Sequence, residues 1–259
     1  DAKDVGPAMI SFKPDFLLAV PRVFEKVYNS AEQKAEAGGK GDIFRKAAVV
    51  AVNYAKAKEE KGSASLGLTV QHAIFNVLVY GKIRAAMGGQ LRYAISGGAP
   101  LGSRLGYFFA GIGLTVLEGY GLTETTAPAM IARPSQIKIG KIGRTLPGCG
   151  VKIADDGEIW LRGNNIMRGY WRNPAATQET FDGDWFKTGD IGELDDDGFL
   201  SITGRKKELL VTAGGKNVAP AGLEDPLRAH PLIGQVVVLG DKKPFVSALV
   251  SLDSEMLGT

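Results

Sequence analysis

One short segment, GYGLTE at residues 119–124, carries the residue types best suited to chemistry. Its two glycines allow the backbone to approach a ligand closely, and the ring of Tyr120 between them could lie flat on a nucleobase. Thr123 offers a hydroxyl to a phosphate, and Glu124 offers a carboxylate to Mg²⁺. Because an isolated glycine-rich loop is weak evidence for a ligand, the alternative is a strand-ending turn with a capping threonine and a first-turn glutamate.

Four further motifs stand in order around this segment. They are Ser96-Gly97-Gly98-Ala99-Pro100 upstream, and Thr188-Gly189-Asp190, Gly204–Leu209 and Gly214–Pro220 downstream. The carboxylate of Asp190 has two oxygens that can accept hydrogen bonds from a pair of hydroxyls. The alternative for Asp190 is a turn-capping aspartate after Gly189.

The composition excludes several classes of protein. The chain has 259 residues with 44% apolar and 23% charged residues and a net charge of +3, which is typical of a globular protein rather than a disordered one. The near balance of charges gives no reason to expect a nucleic-acid partner. The single cysteine, Cys149, excludes an internal disulfide and a cysteine-rich zinc site. Every apolar stretch is shorter than the roughly 20 residues of a membrane-spanning helix.

The first third of the chain is predicted to be helical. Pro21 stands where a first-turn proline would, and the helical spacing that follows it stops at Gly38. Two more helices are predicted at about 43–61 and 69–87, the second ending at Gly88.

The motifs are predicted to lie on an α/β sheet followed by β-rich structure. The pattern of a parallel α/β sheet is present in the order of a strand at 91–95, a glycine loop, a helix at 103–110, a strand at 114–118 and a second glycine loop. In such sheets, ligands bind at the carboxyl ends of the strands. Further on, Asp156-Gly157 and Asp197-Gly198 indicate hairpins between strands at 150–154, 158–162, 191–194 and 199–203, which fits a small antiparallel barrel or sandwich.

The last stretch indicates the start of a small α+β domain, with a helix near 221–229 and strands near 235–240 and 245–251. We therefore expect three parts: the α/β part of a large domain at 1–138, a β-barrel subdomain at 139–204, and a small C-terminal domain at 205–259.

With its motifs in this order and spacing, the chain resembles the adenylate-forming superfamily of acyl- and aryl-CoA ligases, luciferases and peptide-synthetase adenylation domains. The match looks closest to bacterial long-chain fatty acid–CoA ligases, which Ala19–Lys26 and Gly204–Pro220 resemble in particular. The resemblance covers essentially the whole chain. It implies the later part of a large adenylation domain, followed by the start of a small mobile domain.

The resemblance also implies a two-step reaction. A fatty carboxylate attacks the α-phosphate of ATP to give acyl-adenylate and pyrophosphate; the small domain then rotates, and the thiol of coenzyme A displaces AMP. The implied ligands are ATP or AMP, Mg²⁺, coenzyme A and a fatty acid. Two alternatives stay open: a ligase that delivers the acyl group to a carrier protein, and a non-catalytic nucleotide-binding remnant.

Each motif residue takes a role by this resemblance. Tyr120, flanked by Gly119 and Gly121, would stack on adenine, while Gly98 and Ala99 would line the base and acyl side. Thr123 and Glu124 would bind phosphate and Mg²⁺, and Asp190 and Arg205 would bind the ribose. Lys207 would be the hinge between the domains, and Lys216 would contact coenzyme A. For Arg205 and Lys207 the alternative is a solvated basic turn, and for Lys216 it is an ordinary surface lysine.

Other reactive or aromatic side chains receive structural interpretations. His72 and His230 are expected to have ordinary structural roles, and Cys149 is expected to be a small buried residue. Four residues, Tyr107, Phe108, Phe109 and Ile112, could line an acyl tunnel, but aromatic residues at this spacing are more often plain core.

Two elements of the resembled family have no counterpart in the sequence: a Ser/Thr/Gly-rich phosphate loop with its lysine, and a lysine near the end of the small domain. We therefore interpret the chain as a piece of a longer protein and expect this piece alone to be inactive. The expected location is the cytoplasm, with the membrane periphery as an alternative. The sequence contains no signal for the preferred length of the fatty acyl chain or for the oligomeric state.

Overall fold

The computed structural model describes residues 5–228, 230 and 232–253. The chain forms two compact units. The first contains the residues up to Tyr120 together with Met130–Gly143, and the second contains Gly121–Ala129 together with the residues from Arg144 onward. The three-part division at 138/139 and 204/205 remains a prediction.

The helices of the first unit follow the proline and glycine signals of the sequence. They are α1 Val5–Phe12, α2 Pro21–Ala37, α3 Gly41–Lys61, α4 Leu66–Phe75, α5 Gly81–Ala86 and α6 Ser103–Gly111. Gly62 ends α3 in a left-handed conformation, φ = +71°, as glycine does at many helix ends. The helix predicted at 69–87 is present in three pieces, because a π-helical stretch, Asn76–Tyr80, joins α4 to α5.

A parallel sheet lies at the centre of the first unit. Strand β1 Phe16–Ala19 pairs with β2 Tyr93–Ser96, which pairs with β3 Thr115–Leu122, and both pairings are parallel. The strand order continues through β4 Ala127–Ile131 and β5 Arg144–Thr145. The predicted strand–loop–helix–strand pattern around α6 is therefore confirmed.

An aromatic core fills the space between this sheet and its helices. The rings of Phe24 and Phe109 lie 5.5 Å apart edge to face, and those of Tyr28 and Phe108 lie 4.8 Å apart. Phe108, Phe109 and Ile112 are at most 1% exposed, so the plain-core interpretation of these residues is confirmed.

Helices α3 and α6 pack backbone to backbone within this core. A Cβ at Gly111 would lie 2.1 Å from the carbonyl oxygen of Ala51. Tyr107, on the same helix, is half-buried and donates its hydroxyl proton to Glu59 of α3. Burial, followed by this hydrogen bond, raises the pKa of Tyr107 to about 12.

The histidines take the structural roles expected of them, whereas the cysteine differs. His72 stacks on Tyr54 at 3.9 Å, and its Nε2 lies 2.6 Å from the carbonyl oxygen of Gly111. His230 accepts the amide of Leu232 at Nδ1. The expectation that Cys149 is buried was wrong: it is half-buried, because it begins a strand and its thiol donates to Oδ1 of Asn165 at 3.2 Å.

Helix α4 has no buried residue and carries several exposed apolar side chains. Leu66, Val70 and Ile74 are 82%, 52% and 53% exposed, and the sequence has no charged residue between Lys61 and Lys82. Within the described ranges, no helix is both long enough and apolar enough to cross a membrane.

An antiparallel half-barrel forms most of the second unit. Its elements are β6 Cys149–Ile153, β7 Glu158–Gly163, α7 Pro174–Thr180, β8 Phe181–Asp182, β9 Trp185–Leu194 and β10 Leu200–Arg205. The strand order is β10-β9-β7-β6, with β8 paired to β9. The two predicted Asp-Gly turns are confirmed: Gly157 and Gly198 have φ of +84° and +79°, which glycine tolerates best.

The C-terminal part of the second unit is a small α+β structure. A 3₁₀ turn at Lys206–Glu208 leads to β11 Leu210–Val211, β12 Asn217–Val218, α8 Ala221–Arg228, β13 Ile233–Leu239 and β14 Ser247–Leu252. Strands β13 and β14 are antiparallel, and Glu224 of α8 accepts the amide of Val238 at 2.7 Å. The predicted helix end at Ala229 lies outside the described residues. The fold class, a parallel α/β sheet with a half-barrel and a small α+β part, is confirmed.

Candidate nucleotide-binding site

The glycine loop at 97–102 lies at the carboxyl ends of β2 and β3. The amide of Gly97 donates to the carbonyl oxygen of Ala19 at 3.3 Å, and a Cβ at Gly97 would lie 3.6 Å from the carbonyl oxygen of Gly119. Gly98 and Ala99 are exposed, and Gly98 has φ = +84°. Within the first unit, the structure thus brings the first predicted loop beside Gly119, where the GYGLTE segment begins.

The GYGLTE segment itself differs from the predicted loop. Strand β3 runs through Leu122 instead of ending at Glu118. The reason lies at Gly121, where a Cβ would approach the carbonyl oxygen of Ala127 to 2.0 Å. The absence of a side chain at Gly121 therefore allows β3 to pair with β4. The ring of Tyr120, the candidate adenine contact, is 7% exposed.

A tight turn holds Thr123 and Glu124 directly after β3. The hydroxyl of Thr125, which is fully buried, accepts the amide of Leu122 at 2.9 Å and lies 2.8 Å from the carbonyl oxygen of Ala127. Thr126 and Ala127 have φ of +53° and +71°, a left-handed conformation that costs a non-glycine residue on the order of 1 kcal/mol. The turn is thus fixed at some energetic cost.

Asn165 fastens this turn from outside. The side-chain amide of Asn165 donates to the backbone carbonyl oxygen of Thr125 at 2.9 Å. The backbone carbonyl oxygen of Asn165 accepts the hydroxyl of Thr126 at 3.0 Å. Asn165 is not among the residues predicted from sequence, because a partner 40 residues away leaves no local signal.

Glu124 has an ordered side chain in this turn. Its Oε1 accepts the hydroxyl of Tyr170 at 2.9 Å, and its backbone carbonyl accepts the amide of Met167 at 2.7 Å. Burial, then the hydrogen bond to Glu124, raises the pKa of Tyr170, so Tyr170 remains a neutral donor at neutral pH. Thr123 is exposed on the same turn.

The donor set at this turn suits a metal ion carried by a nucleotide. Within the described ranges, no three His, Cys, Asp or Glu side chains are grouped as a metal cage would need. Mg²⁺ is commonly held by one or two carboxylates together with water and substrate phosphates. The single carboxylate of Glu124 beside the hydroxyl of Thr123 fits that mode of binding.

Asp190 and Arg205 are in direct contact. They are register partners on β9 and β10, and the Arg205 Nε lies 3.0 Å from Oδ1 of Asp190. The Asp190 side chain is 6% exposed and the Arg205 side chain 59%. The two residues predicted to bind the ribose thus form one ion pair with an accessible guanidinium.

A buried glutamate supports the Thr188-Gly189-Asp190 turn. Oε1 of Glu158 accepts the amide of Gly189 at 2.9 Å, and the hydroxyl of Thr188 donates to the carbonyl oxygen of Ile159 at 2.7 Å. Lys206 donates to Oε2 of Glu158 at 3.0 Å and to the carboxylate of Asp156 at 2.6 Å. Neither Glu158 nor Lys206 is among the site residues predicted from sequence.

The other predicted residues are less tightly held. Lys207 lies in the exposed 3₁₀ turn after β10, and Lys216 lies in the exposed turn between β11 and β12. The amide of Lys216 donates to the hydroxyl of Thr212 at 3.2 Å. Gly98, Ala99, Gly119 and Tyr120 belong to the first unit, and Gly121, Thr123, Glu124, Asp190, Arg205, Lys207 and Lys216 belong to the second.

Known proteins similar to this chain include long-chain-fatty-acid–CoA ligases. Long-chain-fatty-acid–CoA ligase FadD15 of Mycobacterium tuberculosis is 56% identical over 255 residues, which is 98% of this chain and 42% of that protein. Human long-chain-fatty-acid–CoA ligase ACSBG1 is 34% identical, covering 93% of this chain and 34% of its own length. The chain therefore spans less than half of the length of these relatives.

Solved structures share the fold. The anthranilate CoA ligase AuaEII in complex with anthranoyl-AMP matches 98% of this chain and 42% of its own, with a TM-score of 0.67 at 22% identity. The o-succinylbenzoate CoA synthetase MenE of Bacillus subtilis in complex with AMP matches with a TM-score of 0.66 at 24% identity, over 98% of this chain and 44% of its own. Residues 207–258 match the C-terminal domain of AMP-binding enzymes. Residues 3–171 match the AMP-binding enzyme family, and the chain therefore belongs to that family.

Proposed function

We propose that this chain is part of a ligase that activates a long-chain fatty acid with ATP and transfers the acyl group to coenzyme A. The observation that carries the proposal is the Asp190–Arg205 pair, a nearly buried carboxylate held by an accessible guanidinium at the position where the family's ribose contact is expected. The identity to long-chain-fatty-acid–CoA ligases over 98% of the chain supports the choice of reaction and substrate class.

The proposed chemistry depends on positioning and charge stabilisation more than on a strong base. Asp190 accepts hydrogen bonds from the ribose hydroxyls. Arg205 orients the carboxylate of Asp190 and contacts the same ribose. The loop at Gly98 and Ala99 lines the base and acyl side, and Tyr120, between Gly119 and Gly121, contacts adenine. Attack of the fatty carboxylate on the α-phosphate requires positioning of this kind.

Thr123 and Glu124 serve the phosphates and their metal. Bound Mg²⁺ would neutralise charge on the phosphate oxygens as pyrophosphate leaves. The hydrogen bonds of Asn165 with Thr125 and Thr126 hold the turn that carries Thr123 and Glu124 in place before the nucleotide arrives. This preorganisation supports a role in phosphate binding rather than simple turn capping.

Lys207 is the proposed hinge and Lys216 the proposed coenzyme A contact. Both lie in exposed turns in the stretch that matches the family's C-terminal domain, where a rotation would change few packed contacts. The division at 138/139 and 204/205 belongs to the same proposal: a large domain with a barrel, then a mobile small domain.

The first experiment tests nucleotide binding by calorimetry on this chain. Asp190→Ala should weaken AMP binding roughly 10- to 100-fold, because it removes hydrogen bonds to a charged group worth about 1.5–3 kcal/mol. Asp196→Ala, an exposed aspartate on the following turn, is the matched control and should bind like the wild type. Unchanged AMP affinity in Asp190→Ala contradicts the ribose assignment, and absence of AMP binding to the wild type contradicts the proposed site.

The second experiment measures turnover. The resemblance places two phosphate-binding lysines outside this sequence, and losing one oxyanion donor costs about 3–4 kcal/mol, so two losses correspond to roughly 10⁴-fold or more in rate. Purified 259-residue protein with palmitate, ATP, Mg²⁺ and coenzyme A should therefore release pyrophosphate at least that much more slowly than full-length FadD15. A comparable rate contradicts this expectation.

The acceptor is tested in a full-length ligase that contains this segment. Acylation of free coenzyme A supports the proposal, whereas adenylate formation without it favours delivery to a carrier protein. Nucleotide binding by a complete protein that forms no adenylate favours a non-catalytic remnant.

The proposed location is the cytoplasm, with contact at the membrane periphery. The exposed apolar residues of α4, with Lys61 and Lys82 at either end of the uncharged stretch, support a contact with anionic lipid. Flotation with vesicles containing anionic lipid tests this, with Val70→Asp as the variant that should reduce binding.

A further inference from the structure

Glu118 places a carboxylate beside the candidate nucleotide loops, at a position that no sequence motif indicates. It lies on β3, directly before Gly119, and is the register partner of Ser96 on β2. Its backbone carbonyl accepts the amide of Ala132 at 2.9 Å. Glu118 is therefore fixed at the carboxyl end of the parallel sheet.

The carboxylate of Glu118 is held by backbone amides. Leu101 donates its amide to Oε2 at 3.2 Å, and Gly140 donates a second backbone amide. Burial raises the pKa of the Glu118 carboxyl, and the amides of Leu101 and Gly140 oppose that rise. An apolar residue would be less costly to bury but would leave both amides without this acceptor.

The first amide belongs to the 97–102 loop. This loop is fastened at its start by the bond from Gly97 to Ala19 and near its end by the bond from Leu101 to Glu118. The Leu101 side chain, 5% exposed, anchors the same end in the core. Gly98 and Ala99 lie between these two fixed points.

The second amide belongs to the segment that follows β4. Gly140 has φ = +83°, and a Cβ there would lie 3.2 Å from the Cβ of Ser103 at the start of α6. The neighbouring amide, that of Ile139, donates to Oε1 of Glu59 on α3 at 2.8 Å. Two glutamates thus hold adjacent amides of one segment, but Glu118 also holds Leu101.

We propose that Glu118 is a positioning residue that ties the 97–102 loop and the Gly140 segment to β3, and thereby sets Gly98 and Ala99 against Tyr120. A carboxylate has two acceptor oxygens and can therefore accept both amides. This role rests on the proposed function, since it concerns how the nucleotide and acyl loop is held.

Hydrogen exchange of individual amides tests the contact without any ligand. In the wild type the Leu101 amide should be protected although it lies in a loop. Glu118→Ala should speed exchange at Leu101 and Gly140 by roughly 10-fold or more, the factor that corresponds to about 1.4 kcal/mol. Glu59→Ala is the matched control: it should speed exchange at Ile139 and leave Leu101 unchanged.

Nucleotide affinity tests the consequence for the site. Glu118→Ala should raise the Kd for AMP roughly fivefold or more, because the loop must then be ordered on binding. Glu118→Gln keeps one acceptor oxygen and should restore at least half of the lost affinity, on a logarithmic scale. Glu59→Ala should bind AMP within about twofold of the wild type.

Three results overturn the proposal: an unprotected Leu101 amide in the wild type, unchanged exchange at Leu101 in Glu118→Ala, or equal AMP affinity in Glu118→Ala and the wild type. Should Glu118→Ala fail to fold, as judged by exchange within α3, the comparison moves to Glu118→Gln, which should lose protection at one of the two amides. Absence of AMP binding to the wild type contradicts the proposed function, while the exchange results still decide the contact.

Discussion

Two glutamates, one in each unit, hold loop amides in different ways. Glu118 accepts the amides of Leu101 and Gly140 in the first unit, and burial raises its pKa. Glu158, 4% exposed in the second unit, accepts the amide of Gly189 and also faces the ammonium of Lys206 at 3.0 Å. The carboxylate of Glu118 therefore faces backbone amide dipoles, whereas the carboxylate of Glu158 faces both an amide and the full positive charge of Lys206. A buried carboxylate can fasten a loop either way, but we expect the two arrangements to respond differently to mutation and to pH.

The largest effect is expected on removing the charge-paired carboxylate. Glu158→Ala should destabilise the second unit by about 3 kcal/mol, because it leaves the Gly189 amide without its acceptor and breaks an ion pair whose carboxylate is buried. Urea unfolding followed by tryptophan fluorescence measures this, since Trp160, Trp171 and Trp185 all lie in the second unit. A loss below about 1 kcal/mol would mean that Glu158 does not fasten the turn.

Removing only the counter-charge should make Glu158 resemble Glu118. Lys206→Met should cost about 1–2 kcal/mol at pH 7, less than a fully buried pair because Lys206 is 47% exposed. Urea unfolding of Lys206→Met and the wild type at pH 7 measures the difference, and a loss as large as that of Glu158→Ala contradicts the comparison.

Glu118→Gln examines the amide-held carboxylate. We expect a change of less than about 1 kcal/mol at pH 7, because the neutral amide avoids the cost of burying a charge while it loses one acceptor. Since the pKa of Glu118 is raised, wild-type stability should increase relative to the variant as the pH falls through that pKa. Far-UV circular dichroism in urea follows the helices of the first unit. The opposite sign of this pH trend would show that Glu118 is stabilised in its charged form.

The smallest effect is expected at the exposed end of the Lys206 pair. The hydrogen bond from Lys206 lowers the pKa of Asp156, whose side chain is 50% exposed. Asp156→Asn should cost about 0.5 kcal/mol at low salt, and less in 0.5 M salt, because exposed pairs are screened. Its stability contribution should be lost as the pH falls through the lowered pKa. A cost equal to that of Glu158→Ala would mean that Asp156 is the main partner of Lys206.

Local signals predicted much of the fold. Pro21 and Gly38 marked the ends of α2, the Asp-Gly pairs marked two hairpins, and glycine loops after short strands indicated a parallel sheet. Each of these features depends on a few neighbouring residues, whose dihedral preferences are visible in sequence.

Contacts distant in sequence could not be predicted in this way. The alternating glycines of the GYGLTE segment favoured a loop, whereas pairing with β4 makes it strand, and only the approach of Ala127 explains Gly121. Lys206 and Glu158 are 48 residues apart, and Leu101 and Glu118 are 17 apart. Neither pair has a local pattern, so the groups that hold the candidate site became visible only in the structure.

At Thr126 and Ala127, which have a left-handed backbone conformation, we expect substitution by glycine to be favourable, although glycine is usually destabilising. Glycine normally destabilises ordered positions by roughly 0.5–1 kcal/mol. At Ala127, with φ = +71°, glycine instead relieves conformational strain of similar size, so Ala127→Gly should be tolerated. At Ala51, in the interior of α3, the same exchange relieves nothing and loosens a packed helix. A deep mutational scan for folding should therefore enrich glycine at 127 and deplete it at 51, although both positions are alanine.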